Sequence, residues 1–219
     1  MDKFAYAIGR LRSLEKDLLD ESRLVRMTEA PDLQSVYQVL REIPHYEAEL
    51  AWTKALLLEL APGNELITAF WHKYEPGVSL QDHMALLKQT AKKSDSLIFR
   101  RYAKAFITLN QLKLDLLAGK TDADTALAKH RYSAYSRAVT LGLEEYKKTG
   151  SLAALERETD NEFLAIVRPA KYMAFGIEPL LGFAVAKEIE IKLIRLVLVS
   201  KQLGLKTDEL RGRLRLTYA

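Results

Sequence analysis

Residues 179–203 read PLLGFAVAKEIEIKLIRLVLVSKQL. The stretch decides the fold class. Its later part, Leu193–Val199, is β-branched and apolar, and alone it would pass for a buried strand. The charges decide otherwise. At 100° per residue Glu188, Lys192 and Arg195 fall on one stripe, and Glu188 precedes Lys192 by four residues, the orientation that favours a helical ion pair. Glu190 and Lys201 lie roughly opposite, with Lys187 off to one side. Two apolar stripes run between them. One holds Ile189, Leu193, Leu196 and Val197; the other holds Ile191, Ile194 and Leu198. A helix with two apolar flanks packs between two neighbours, which predicts a layered array of helices.

Working outward, the punctuation of the chain is sparse and helical. Pro31 opens a segment with Leu33, Val36 and Leu40 on one face, and Pro44 ends it. Glu47 to Leu60 forms the next helix, closed by Pro62-Gly63. Pro76-Gly77 closes a short aromatic segment with Phe70, Trp71 and Tyr74. Ser79 stands as an N-cap before Leu80. Ser96 to Ala118 is a long helix that Gly119 ends. Thr121 to Tyr146 reads as one helix ending near Gly150. Ser151 to Val167 follows, with Pro169 as a break. Gly204 closes the central helix, and Thr207 caps a last short one. The whole chain reads as all-α. A faint internal echo links residues 101–120 to 183–201, both running from an aromatic into an apolar-Lys pair (Leu112-Lys113, Ile191-Lys192).

Composition narrows the chemistry. The 219 residues suffice for one large domain or two small ones, and 48% hydrophobic with 28% charged is ordinary for a globular protein. The absence of cysteine excludes disulfide scaffolds, thiol catalysis and zinc-thiolate or iron–sulfur sites. No uncharged stretch reaches ten residues, so no bilayer-spanning helix is expected. The first residues carry acids and bases throughout, unlike a secretory signal. Gly119-Lys120-Thr121 resembles the end of a P-loop, but its first glycine would fall on Leu114. Glu42 and His45 have a Glu-x-x-His spacing that Pro44 interrupts, and there is no second copy. No catalytic constellation and no cofactor or metal motif emerges.

The net charge of +4 is unevenly spread. Residues 187–219 hold eight bases against four acids, and the rest balances at 25 against 25. A second local excess lies at Lys88, Lys92, Lys93, Arg100, Arg101 and Lys104, opposed only by Asp95. Such patches either face an anionic partner or form a solvated helix face.

Both ends of the chain resemble one family. Near the start come Tyr6, Arg10, Arg12 and Glu15, then Leu18-Leu19. Near the end Pro179 to Phe183 leads into Lys187-Glu188-Ile189-Glu190-Ile191-Lys192 and Arg195, then Lys201, Gly204-Leu205, and Glu209-Leu210-Arg211 with Leu214. This is similar to the C-subunit family of V/A-type ATPases, whose eukaryotic member is the d-subunit. Members are about half as long again, with three similar helical repeats forming a funnel. With both end patterns present, the shortening is expected inside the chain, as one missing repeat or three trimmed ones.

The resemblance implies layered helical-bundle repeats forming a funnel- or wedge-like socket. It implies a single all-α unit, with possible divisions at 1–94, 95–150 and 151–219. It also implies a non-catalytic coupling role. The protein would lie on the cytoplasmic face of the membrane, one copy per complex, between the central shaft subunits and the rotor-ring proteolipid, binding neither nucleic acid nor a small-molecule substrate. Glu188, Lys192 and Arg195 would line the socket, as against a local ion-pair stripe between helices. Arg10, Arg12 and Glu15 would be further contacts, or a solvated face. Arg211, with Arg213 and Arg215, would meet acidic groups or phospholipid near the ring, or favour a helix dipole. Two other readings stay open. One is a helical adaptor for an acidic partner, an anionic membrane surface or nucleic acid. The other is a carboxylate-based metalloenzyme.

Overall fold

The structure is a computed structural model and describes residues 4–43 and 50–218. The Pro44 break, His45 and the start expected for the Glu47–Leu60 helix lie outside the described residues. Within them the chain is helical, with no strand. The first part holds α1 (Ala5–Glu15), α2 (Glu21–Glu29), α3 (Leu33–Leu40), α4 (Leu50–Leu60) and α5 (Glu65–Trp71). The middle holds α6 (Leu80–Lys93), α7 (Leu97–Leu117), α8 (Ala123–His130), α9 (Ser136–Thr149) and α10 (Ala153–Val167). The last part holds α11 (Glu178–Gln202) and α12 (Thr207–Arg211). Short 3-10 turns at His72–Tyr74 and Arg168–Tyr172 follow α5 and α10.

The quoted stretch is α11, and it is the hub. It touches α1, α3, α4 and α5 from the first part and α7 and α10 from the middle. Every residue from Pro179 to Lys187 is buried. Farther along, Ile189, Leu193 and Val197 of one apolar stripe are almost fully buried, and Ile194 of the other is buried too. Two apolar flanks therefore did signal a helix inside the fold, with more neighbours than two. At about 25 cal/mol per Å² of apolar surface, a helix buried on most sides contributes more than any single ion pair on it.

Local chemistry explains most of the boundaries. Ser79 Oγ accepts from the Asp82 N–H at 3.1 Å, and the Asp82 carboxylate reaches back to the Ser79 N–H, a complete capping box. At α7 the cap is Ser96, whose Oγ accepts from the Phe99 N–H at 3.2 Å. Gly119 takes φ +65°, a left-handed helix end, so Gly119-Lys120-Thr121 is a terminus and not a phosphate loop. Pro169 starts the 3-10 turn after α10.

Two boundaries differ from expectation, and α2 lies where no helix was expected. The segment 121–146 is two helices, because the chain tightens after α8. Arg131 and Ser133 N–H groups bond to the Ala128 and His130 carbonyls, and Ser133 Oγ accepts from the Tyr135 N–H. A serine that captures a backbone donor competes with the helix. The segment before Pro31 contains α2, capped by Asp20 through a 2.8 Å bond from the Arg23 N–H. Thr207 does not cap α12; it is the first helical residue, after Lys206, and no side chain caps that end.

Two further features position the site. α9 and α10 pack so closely that a Cβ on Gly142 would lie 2.6 Å from the Leu155 Cα. The residues after α12 form a strap sewn along α10. Arg157 donates to the Gly212 carbonyl, the Leu216 N–H to Asn161 Oδ1 at 2.9 Å, and Arg168 to the Thr217 carbonyl at 2.7 Å. Tyr218 ends it, buried beside Gly182 of α11.

Candidate functional site: a charged cleft beside the central helix

The Glu188 stripe of α11 faces a cleft of about 510 Å³ bounded by α7, α10, the turn after α5 and the strap. Five cations line it (Lys73, Lys113, Lys192, Arg195, Arg215) with three carboxylates (Glu156, Asp160, Glu188), an excess of two positive charges. Phe106, Leu109, Leu155 and Phe163 give it apolar walls.

The ion pairs form a connected chain. Lys73 Nζ donates to Glu188 Oε2 at 2.7 Å. Glu188 Oε1 lies 3.2 Å from Lys192 Nζ, the i,i+4 pair read from the sequence. Lys192 Nζ also donates to Asp160 Oδ1, and Arg215 Nε to Asp160 Oδ2, both at 2.7 Å. Lys113 pairs with Glu156 at the rim. Arg195 is exposed and has no ion pair or hydrogen bond among the described residues.

Burial sets the electrostatics. Burial alone would raise the Glu188 carboxyl, but Lys73 and Lys192 outweigh it and hold the group at about 2. Burial pushes the Lys73 ammonium down, and Glu188 restores only part of that. Lys73 also sits 4.4 Å above the Phe70 ring. Burial would lower Lys192 as well, but Glu188 and Asp160 reverse the direction and raise it. Behind this cluster His83 is fully buried, its two ring nitrogens without hydrogen-bond partners. Burial, then Lys73 and His72, lower it to about 4, so it is neutral at pH 7. The carboxylates of the cleft are thus committed to partners, and the free donor is a guanidinium. The arrangement leaves the guanidinium's five N–H donors open to an acceptor.

Of the residues singled out in the sequence, Glu188, Lys192 and Arg195 come together here. The others lie elsewhere. Arg10 pairs with Glu59 of α4 at 2.8 Å on the surface. Arg12 bonds Glu15 and donates to the carbonyls of Ala170 and Met173 at 2.9 and 2.7 Å, tying α1 to the turn after α10. Glu15 is buried, so the solvated-face reading fails for it. Arg211 pairs with Glu29 of α2 at 2.7 Å and with Asp208 at 3.4 Å.

Sequence reasoning missed Lys73 and Asp160, and it gave Arg215 a different setting. Asp160 did leave a signal. It shares a stripe with Phe163, Leu164 and Val167, at the spacing of an apolar helix face, and a carboxylate there must find a cation. Lys73, between Phe70, Trp71 and Tyr74, is the same kind of anomaly.

The second basic excess is an exposed patch about the α6–α7 turn. Lys88, Lys92, Lys93, Arg100, Arg101 and Lys104 are exposed, and none pairs with a carboxylate among the described residues. Among the described residues no three His, Asp or Glu side chains group as a metal site, and no helix is long and apolar enough to cross a membrane.

Comparison with known proteins bears on the same part of the chain. The family model described as ATP synthase (C/AC39) subunit matches residues 84–213, which include α7, α10 and α11. The C-subunit of the A-type ATP synthase of Methanocaldococcus jannaschii is 25% identical, over 53% of this chain and 37% of the relative. The protein of the same name from Methanothermobacter thermautotrophicus is 28% identical, over 43% and 25%. The C-subunit of the V-type sodium ATPase of Enterococcus hirae is 36% identical, over 31% and 20%. The matched stretches thus span less than half the length of each of these relatives.

Proposed function

The chain belongs to the ATP synthase (C/AC39) subunit family, matched over more than half its length, and from that premise we propose that it is the central-stalk coupling subunit of a V/A-type rotary ATPase. In this reading it is a non-catalytic socket. It sits on the cytoplasmic face of the membrane, one copy per complex, between the shaft subunits and the rotor-ring proteolipid. It transmits torque between ATP chemistry and ion movement.

The observation that carries the reading is the cleft on α11. A torque-bearing socket needs a surface that is rigid and still unsatisfied. Lys73, Glu188, Lys192 and Asp160 supply the rigidity, because each carboxylate is held by two cations. Arg195 supplies the unsatisfied donor. Arg10, Arg12, Glu15 and Arg211 serve the reading indirectly, by fixing α1 and α12 around the hub.

The test is native co-purification. The tagged chain is extracted gently from membranes and its companions are identified. The expected result is shaft subunits and ring proteolipid, with about one copy of this chain per complex. Recovery of the chain alone, or with unrelated proteins, would overturn it. One observation favours a second reading, a helical adaptor on an anionic surface: the six unpaired cations about the α6–α7 turn. Steeply salt-dependent binding to anionic vesicles with no rotary subunits recovered would select it.

A further inference from the structure

Within the cleft the charges do not close. Glu188 and Asp160 are each shared by two cations, and Glu156 takes Lys113. Every carboxylate is used, Arg195 remains, and the excess is two positive charges. Ile191, half-buried and one helical turn before Arg195, gives the same lining an apolar contact beside this uncompensated donor. We infer that the cleft takes an acidic segment of a partner protein, with one carboxylate placed on Arg195 and an apolar neighbour laid against the half-buried Ile191.

Charge and size both point to a protein carboxylate. A nucleic acid or a phospholipid headgroup brings phosphates, and the cleft would set them against three fixed carboxylates. A single side-chain carboxylate needs only the free guanidinium, in a planar two-point contact. A volume of about 510 Å³ admits a few side chains and no folded domain. The other four cations each already hold a carboxylate of the cleft, so Arg195 is the residue left to select an anion. Lys73 and Asp160 act as positioning residues, since they fix Glu188 and Lys192 and never need to touch the partner. The inference rests on the coupling reading, because the segment is expected on another protein of the same assembly.

The experiment places the photo-crosslinking residue p-benzoylphenylalanine at Ile191 in the full chain, in cells. The same probe at Asn110 covers the case in which the first variant fails to fold. Both residues line the cleft and neither carries its charge. The native complex is isolated after irradiation and the attached peptide is sequenced. The expected peptide comes from a shaft or ring protein and carries Asp or Glu within one helical turn of an apolar residue. Arg195→Gln is expected to cut complex recovery about tenfold or more, the scale of a lost charge-assisted hydrogen bond. Arg195→Lys should restore part of it. If the complex is recovered but the attached peptide has no acidic residue, or lipid or nucleic acid is attached, the inference fails and the coupling reading stands. Recovery of the unsubstituted chain without shaft or ring subunits overturns both.

Discussion

α11 carries two ion systems on different faces, and they are built to opposite ends. Toward the first part of the chain, Lys187 pairs with Glu190, and Glu190 Oε2 also accepts the Leu19 N–H at 2.7 Å. Both side chains are 4% exposed. That system is closed, with every partner inside the chain. Toward the middle, Glu188, Lys192 and Arg195 open onto a cleft, where Arg195 keeps its donors free. Charge spacing on a helix therefore does not distinguish a closed set of ion pairs from one that leaves a donor open. What distinguishes them is whether the neighbouring elements use up the hydrogen-bonding capacity.

The closed face should be the more costly to disturb. Glu190→Ala leaves Lys187 buried without a counter-charge and the Leu19 N–H unpaired. We expect a loss of about 3–5 kcal/mol, measured by denaturant unfolding. Replacing the pair together, Lys187→Met with Glu190→Leu, should recover most of that loss, because no buried charge is then stranded.

Acid should act next, on the open side. His83 is held at about 4 against an ordinary 6.5, so the unfolded chain binds the proton more readily. Stability contributed by neutral His83 is present above pH 6.5 and is lost as the pH falls to about 4. Glu188, held at about 2 against 4.5, loses its contribution between those values. Each amounts to about 3 kcal/mol when fully expressed. Thermal melts from pH 7 to 4 should show the first loss, and His83→Phe should flatten it. A flat profile in the unsubstituted chain would show that His83 is hydrated and the packing behind the cleft is open.

Asp160→Asn comes third. It keeps the shape and one acceptor but removes the charge that Lys192 and Arg215 share. The expected loss is about 1.5–3 kcal/mol, together with a looser strap, read by hydrogen exchange at residues 213–218. Arg195→Ala is the smallest. With no partner to lose, it should change stability by no more than about 0.5 kcal/mol.

The fold class was legible in α11 because its charges obey a 3.6-residue period, and ends were marked by the Ser79 hydroxyl and by the left-handed backbone of Gly119 and Gly204. The α8–α9 break was not, because Arg131-Tyr132-Ser133 carries no proline or glycine and its turn depends on one serine hydroxyl. Of the cleft, the α11 stripe was legible and its partners were not. Lys73 meets Glu188 across 115 positions, and Asp160 meets Arg215 across 55. Such pairs are set by packing of distant elements, and a single sequence shows only the anomaly of a charge on an apolar face. The sequence also set Glu190 and Lys201 opposite the stripe. The structure gives them Leu19 N–H and the carbonyls of Thr28 and Ala30 as partners.

The most direct test separates folding from docking at one residue. Arg195→Glu is made in the full chain, and its melting temperature and its recovery in the native complex are measured together. An open, recognising Arg195 requires a melting temperature within about 2 °C of the unsubstituted chain and a complex that is largely lost. An intact complex, or a variant that unfolds, would contradict it.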